Sequence, residues 1–468
     1  MKRIIGKNGE FEFEWLYRFL IPLYDIMTTL YYCYSFKGDE LFERVCNMRF
    51  SITDIGPFCD TQEIQLDGIT ILAGLNGTGK STFGKLLYCL FSSFYHIEDR
   101  ILYEKKTSIR RLLWNNLNDR SHMLRKFNKL FFSDDSIVDK ILSEDDNDKT
   151  VGLINDLIEQ VFEDSINQEI KSDLANRVLN VIKIEDDKIR NQILENQIEL
   201  EFNGNFKNVS AVDNNAYSKL SIKDKSISFS YDSHSVKINS YISLIKKVLY
   251  IDDPNIVDYL DTTDKSIYIG SNHRFDLLDK LFALNDYDIS SVDKIMIKEK
   301  IKRIEDKIST ICDGDISYTD SKQFKYISKD FKDGLSINNM ATGLKSFAII
   351  KMLLKRGYFE ENGIVVFDEP EIHLHPEWQN VWAEIIVMLH KEFGINVLIS
   401  THSSDFLSFL ELYIHKYNVL NKTKLYKLEK VKECNSCITD VTNKWDEVYD
   451  QLGKPFIKAT EELDDINA

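Results

Sequence analysis

The sequence has no apolar run long enough to cross a membrane. Residues 15–35 are its most apolar and aromatic N-terminal stretch, but Arg18, Pro22 and Asp25 interrupt them, and a helical span needs about 20 predominantly apolar residues. A secretory signal would need a cleaner apolar stretch that ends in small residues. No membrane anchor is expected. The seven cysteines keep no regular spacing, which excludes a disulfide framework and points to a reducing, cytoplasmic setting. Cys434 and Cys437 form a single Cys-x-x-Cys, whereas a structural zinc needs two further ligands. No heptad run is long enough for an extended coiled coil. Excess positive charge is missing too. Lys and Arg number 59 against 75 Asp and Glu, a net charge of −16, which argues against indiscriminate coating of nucleic acid. Two basic segments remain. Lys105, Lys106, Arg110 and Arg111, followed by Arg120, Arg125, Lys126 and Lys129, read most simply as a solvated helix face. Lys298, Lys300, Lys302 and Arg303 alternate with Glu299 and Glu305, as on an exposed, salt-bridged helix. H-N-H, Cys-His and Ser-His-Asp constellations are also missing, so no nuclease chemistry is expected of this chain.

What is present begins at residue 69. The apolar run 69–73 leads into Gly74-Leu75-Asn76-Gly77-Thr78-Gly79-Lys80-Ser81, and a helical pattern follows from Thr82. This is G-x-x-x-x-G-K-S leaving a strand and opening a helix, the context of a phosphate-binding loop. Glycine at 74, 77 and 79 lets the backbone wrap close to a phosphate chain where a Cβ would block it. Successive N–H groups and the positive end of the helix then face the anion. Lys80 is expected to neutralise the β- and γ-phosphates of a nucleoside triphosphate, and the Ser81 hydroxyl to bind Mg²⁺.

The second half supplies the rest of a hydrolytic site. Residues 363–367 form a buried-type strand that ends in Asp368-Glu369-Pro370. A strand-end acid holds Mg²⁺ in phosphate-loop enzymes, which is the role expected of Asp368. Glu369, one residue on, projects differently and is expected to polarise the attacking water as general base. A third apolar run, 395–399, ends at Ser400-Thr401-His402-Ser403. Taken alone, His402 is an ordinary loop histidine. After two matched motifs in order it is expected to bond the γ-phosphate and sense its loss.

Asn76 within the loop, the Asp-Glu-Pro strand end, Glu371-Ile372-His373-Leu374-His375-Pro376 and the Ser-Thr-His triplet together resemble the ABC-type ATPases. Within that class they are similar to the branch of SMC-like repair proteins and overcoming-lysogenization-defect (OLD) ATPases. The resemblance implies an α/β head, a mixed sheet with flanking helices. It also implies nucleotides sandwiched between two heads, each site completed by a signature helix from the partner. The matching position is Met340-Ala341-Thr342-Gly343-Leu344-Lys345-Ser346, which departs from the usual Leu-Ser-Gly-Gly because Ala341 stands where the family has a phosphate-binding serine. Thr342 and Gly343 are the expected contacts to the partner's nucleotide. His373 and His375 fall on the loop that in this family crosses to the partner head. Metal binding is the weaker reading of that pair.

Five segments are expected. Residues 1–47 are an extension atypical of the family, with Met48 as an alternative start. Residues 48–99 are the first part of the head, and 100–245 a mainly helical insertion. Residues 246–429 complete the head, and 430–468 form a tail. Residues 198–204 and 226–231 alternate like strands. Ser271 to Leu278 resemble a segment of anti-phage ATPases in this branch, and His273 and Arg274 receive no role. OLD nucleases carry a metal-dependent Toprim nuclease domain after the ATPase, and the stretch after His402 is expected to be too short for one. The sequence most resembles the Septu-type ATPases, which assemble with a separate HNH nuclease; the PARIS-type ATPases, paired with a Toprim effector, are close to them. The partners so implied are at least one further copy of the chain and a nuclease subunit. The alternative is an ATP-dependent DNA clamp of the repair type.

Overall fold

A computed structural model describes residues 48–462 apart from 118–126, 128, 132–135, 145, 163–165, 210–215, 233–234, 262–271, 283–290, 320–322, 360–362, 433–434 and 455–461, with only the backbone at 261 and 291–297. The expectations for residues 1–47, for Arg120, Arg125 and Lys126, and for Cys434 lie outside the described residues.

The head is built on two sheets. Strands β1 (Met48–Thr53) and β2 (Gln62–Leu66) form an antiparallel hairpin. Strand β3 (Ile69–Gly74) then crosses into the second sheet and runs into helix α1 (Lys80–Phe94). Helices α2 (Ile97–Asn115), α3 (Ile137–Ser143), α4 (Asn147–Phe162), α5 (Gln168–Ile182) and α6 (Asp186–Phe202) follow. Strands β4 (Ala216–Ile222), β5 (Lys225–Asp232) and β6 (Ser235–Ser240) then extend the first sheet in the order β2-β1-β4-β5-β6. The stretch expected to be a mainly helical insertion is therefore helical to Phe202 and afterwards belongs to the same sheet as β1.

The second sheet takes β7 (Val248–Ile251), β11 (Ile364–Asp368), β12 (Asn396–Thr401), β13 (Thr423–Lys432) and β14 (Asn435–Asp440), in the order β14-β13-β3-β12-β11-β7. All neighbours are parallel except the antiparallel β13–β14 pair at the edge. Between β7 and β11 lie α7 (His273–Phe282), α8 (Ser291–Ile308), the small sheet β8 (Asp315–Tyr318), β9 (Phe324–Ile327) and β10 (Leu335–Ser336), and α9 (Thr342–Lys355). Helix α10 (Pro376–Phe393) precedes β12, and α11 (Ser404–Lys416) follows it. The α/β architecture with mixed sheets is the one expected. Residues 435–452, read from sequence as tail, add the edge strand β14 and bury Val441, Val448 and Leu452 in the core.

Parallel strands covered on both faces are apolar at successive positions, and their alternation sorts the core. Ile69, Ile71, Val365, Phe367, Val397 and Ile399 face one side of the six-stranded sheet, with α7 to α11. Leu72, Val366, Leu398 and Tyr250 face the other, with α1, α6 and the inner face of the antiparallel sheet. Helix α1 lies between the two sheets, so it is apolar nearly all round, as a fully buried helix must be.

The helical segment divides in the same physical way. The first turns of α2, at Ile97 and Ile101, pack into the head, as do Ile193, Leu194 and Ile198 of α6. Ile109 and Leu113 of α2, together with Phe127, Phe131 and residues of α3, α4 and α5, close a separate core. Residues 198–202, expected to be a strand, are the last turn of α6. The alternation of Ile198, Leu200 and Phe202 with Glu199 and Glu201 misleads because Glu201 is itself buried, on the inner side of a helix. The basic residues of α2 are partly consumed inside the fold. Lys105 pairs with Asp186 at 2.6 Å, and the buried Lys106 pairs with Asp139. No helix among the described residues is long and apolar enough to cross a membrane.

Because the lobe core is separate from the head, damage to it should stay local. Leu157→Ala removes a fully buried lobe side chain and should cost about 2–5 kcal/mol. Hydrogen exchange should then accelerate in α3, α4 and α5 while α1 keeps its protection.

Candidate functional site

Backbone register brings the motifs to one end of the six-stranded sheet. Leu72 of β3 lies opposite Ser400 of β12, and Ser400 lies opposite Asp368 of β11. The strands therefore end level, and their C-terminal loops share one rim.

On that rim the loop 74–81 takes the conformation its glycines permit. Gly77 has φ 73° and Gly79 φ 94°, a region that side-chain-bearing residues occupy only at a cost. A Cβ on Gly79 would lie 2.5 Å from Pro57 Cγ, and one on Gly74 would collide with the Leu428 carbonyl. Gly77 meets Lys430 of β13, whose Nζ lies 3.2 Å from where a Cβ would stand, at a register shift between Lys430 and Lys432. A shift of this kind re-aims side chains. Asn76 is exposed at the loop tip. Thr78 is buried, and its hydroxyl donates to the Leu75 carbonyl at 2.8 Å. The Thr82 side chain sits against the turn at Gly56.

Lys80 is only 4% exposed. Its ammonium donates to the carbonyls of Gly74 (2.9 Å) and Leu75 (3.1 Å) and lies 3.5 Å from Glu369 Oε1. Burial lowers its pKa, and the Glu369 carboxylate opposes that shift.

Asp368 collects three hydroxyl donors. Ser81 Oγ donates to Oδ1 at 3.1 Å, Ser400 Oγ also donates to Oδ1, and the Tyr250 hydroxyl donates to Oδ2 at 2.8 Å. Tyr250 lies opposite Val366, on the α1 face of the sheet, so its phenol spans two residues along β11 to reach the acid. Gly84 makes the room: a Cβ there would stand 3.0 Å from Tyr250 Cε2.

Glu369 turns away from Asp368 because its backbone enters the left-handed region, φ 50°. Its N–H donates to the Ser400 carbonyl at 3.0 Å, which holds that conformation. Its Oε1 then lies 3.2 Å from His402 Nδ1 as well as beside Lys80. Glu371 is buried underneath, where Oε1 accepts from the Thr401 hydroxyl (2.6 Å) and the His402 N–H (3.2 Å). Burial raises its pKa against those two bonds. The predicted residues Lys80, Ser81, Asp368, Glu369 and His402 thus converge on one rim.

Thr342 and Gly343 do not join them. Their helix packs on the opposite face of the sheet from α1, and a Cβ on Gly343 would lie 3.0 Å from the His373 carbonyl. Ala341 caps α9 without a side-chain bond. His375 caps α10 instead of facing a ligand cluster, and no group of three His, Cys, Asp or Glu side chains able to hold a metal occurs among the described residues.

A family model for the AAA ATPase domain matches residues 51–407, a span that contains every one of these side chains except Lys430. The chain belongs to the AAA ATPase domain family. It is an ATP-binding ATPase. Among solved structures, the SMC head domain from Thermotoga maritima is 9% identical, covers 85% of this chain and 99% of its own, and gives a TM-score of 0.38. An SMC head bound to the C-winged helix domain of ScpA is 10% identical over 86% and 99%, with a TM-score of 0.43. An SMC head with an extended coiled coil, bound to the C-terminal domain of ScpA derived from Pyrococcus furiosus, is 10% identical over 90% and 100%, with a TM-score of 0.40.

The AAA ATPase residues fit a magnesium nucleotide. The path of the loop requires glycine at 74 and 79, where a Cβ would run into the Leu428 carbonyl and Pro57, a buried ammonium closes it, and a hydroxyl–carboxylate pair stands beside it.

Sequence reasoning missed Tyr250 and Lys430, which lie far from any motif in the chain, and gave no role to Gly84, three residues past Ser81. It also left His273 and Arg274 without a role. His273 is buried between two acids, Nδ1 being 2.6 Å from Glu201 Oε2 and Nε2 3.1 Å from Asp252 Oδ2. Arg274 donates to the same Asp252 oxygen at 2.7 and 2.9 Å. Burial alone would lower the His273 pKa, but hydrogen bonds to Asp252 and Glu201 outweigh it and hold the imidazole at about 9. An unfolded histidine titrates near 6.5, so the folded state binds this proton more tightly. The stability this confers is complete below pH 6.5 and is lost as the pH rises through about 9. Thermal unfolding followed from pH 6 to 10 should show Tm falling across that window, and Asp252→Asn should shrink the fall.

Proposed function

We propose that this chain is an ABC-type ATPase that closes as a pair of heads on ATP and governs a separate nuclease subunit in bacterial anti-phage defence. The observation that carries the ATPase part is the meeting of Lys80, Ser81, Asp368, Glu369 and His402 on one rim. In this reading the amides of 77–82 and the Lys80 ammonium hold the phosphates, and Asn76 stands at the mouth of the loop. Ser81 and Asp368 hold Mg²⁺, which when bound draws charge from the phosphate oxygens. Glu369 takes the proton of the attacking water, and His402 steadies that carboxylate and contacts the phosphate end. Thr342 and Gly343 lie across the sheet from their own phosphate loop, which supports a role at the loop of a second copy. The nuclease assignment rests on the resemblance of the Asp-Glu-Pro-Glu-x-x-Leu-His-Pro string to the OLD-related branch and of the chain to the Septu-type ATPases, with an HNH partner favoured and a Toprim partner as the variant.

One feature favours the DNA-clamp alternative. A concavity of about 440 Å³ on the outer face of the antiparallel sheet is lined by Arg49, Lys219 and Lys223, with Ser51, Ser221 and Glu63. Cations on an open sheet face suit a phosphate backbone.

Glu369→Gln keeps the shape of the side chain and removes the base. Its steady-state ATP hydrolysis should drop by a factor of about 10² or more, while ATP remains bound and two copies stay together. Purified with its native gene neighbours in ATP and Mg²⁺, this variant should carry a nuclease-type protein in fixed stoichiometry. Recovery of the ATPase alone, on DNA and released by salt, would replace the defence reading with the clamp.

A further inference from the structure

The Tyr250 hydroxyl lies outside every motif, yet it makes the one bond to Asp368 Oδ2 among the described residues. Asp368 Oδ1 is already shared by Ser81 and Ser400. Without a donor on Oδ2 the carboxylate is held through one oxygen alone, and its terminal sp² torsion is soft. With Tyr250 in place both oxygens are fixed. Tyr250 is itself fixed from behind. The His273 ring lies 4.2 Å from its ring, tilted by 38°, and Tyr88 lies edge-on to both. His273 in turn is clamped by Glu201, which accepts from its backbone N–H (2.6 Å) and meets its Nδ1 (2.6 Å), and by Asp252 two residues beyond Tyr250. Glu201 belongs to the last turn of α6, the helix that brings the chain back from the helical lobe.

We propose that Tyr250 is a positioning residue for the metal-binding Asp368, and that the Glu201–His273–Asp252 bridge holds it there, so that α6 is tied to the metal step. The chemistry of the residues favours this over a purely structural part. A buried tyrosine needs one partner for its hydroxyl, and Tyr250 spends that bond on the acid of the rim. A carboxylate buried as deeply as Glu201, 4% exposed, is costly unless fully paired, and here both its oxygens are bound by a residue stacked on Tyr250. The inference rests on the ATP·Mg²⁺ reading of the rim.

The test is the Mg²⁺ dependence of binding of a fluorescent ATP analogue to the full chain, with binding in EDTA as reference. In Tyr250→Phe the Mg²⁺ half-saturation point should rise about tenfold, the value of one hydrogen bond to a charged group. Affinity in EDTA should stay within about twofold of wild type, since no phosphate contact of the loop is touched. Glu201→Gln should move the half-saturation point in the same direction by a smaller factor. The double variant should match Tyr250→Phe alone, because both changes act through one hydroxyl. An unchanged half-saturation point in either single variant would overturn the proposal, as would an equal loss of affinity with and without Mg²⁺. If Tyr250→Phe does not fold, Glu201→Gln alone decides in the same way. Failure of the wild-type chain to bind the analogue would instead sink the nucleotide reading.

Discussion

The site depends on the level ending of parallel strands. Ser400 and Asp368 are register partners, and Leu72 is the register partner of Ser400, so three loops distant in sequence open at the same height. A slip of one residue in any of these pairings would turn the strand's side chains to the opposite face. It would take Asp368 out of reach of Ser81 and Tyr250 and expose half of each core. The apolar positions that alternate across the sheet therefore do two things together. They fill both cores, and they fix which carboxylate faces α1. Site geometry is inherited in large part from packing, and hydrogen bonds at the rim then trim it.

What could be read from the sequence follows the distance over which each feature is encoded. The phosphate loop is local: Gly74 to Ser81 carries its own conformation, and the two positive-φ glycines lie where the pattern puts them. Asp368, Glu369 and His402 were legible because each ends an apolar run, and parallel strands of one sheet share a C-terminal edge. Tyr250 had no such mark. Within Val248–Ile251 it is one more buried β-type residue, and only the pairing of β7 with β11 gives its hydroxyl a task. The misreading at 198–202 has the same origin from the other side. Glu201 looks like the polar half of an alternating strand because sequence gives no sign of His273, 72 positions away, as its partner. The tail failed for lack of apolar density. Residues 435–440 contribute a strand mainly by backbone pairing with β13, and the residues that bury, Val441, Trp445, Val448 and Leu452, are too few to stand out.

Buried charge is concentrated behind the rim. Lys80, Glu371, Glu201 and His273 are all less than 5% exposed, and taking each out of water carries a desolvation penalty of several kcal/mol. Surrounding bonds offset most of that penalty, although Glu371 Oε2 is buried without a hydrogen-bond partner among the described residues. Glu371 meets a hydroxyl and a backbone N–H, Lys80 two carbonyls and a carboxylate, and His273 two carboxylates. The satisfied members act as rigid struts, because any displacement strands a charge in a medium of low dielectric. That rigidity suits a site whose work is electrostatic, where groups must stand in place before charge moves.

The sheet that unites the rim also separates the loop from the signature-like helix start. Helix α1 and the loop lie on one face, and α9 with Thr342 and Gly343 on the other, packed against the 373–374 turn. That turn continues directly from Glu369 and Glu371, so Glu369 and the neighbourhood of the α9 start are joined by four residues of backbone. On the two-copy reading proposed above, this gives each head a short mechanical link between its own hydrolytic acid and the surface it offers to its partner. A change at Glu369 when the phosphate leaves then reaches His373 through covalent geometry, with no need for a path through the core. The Tyr250 bridge runs the other way, from Asp368 back through His273 to α6. Two adjacent acids at the end of one strand therefore face two different audiences. Glu369 is coupled to the surface beside α9, and Asp368 to the helix that leads from the lobe.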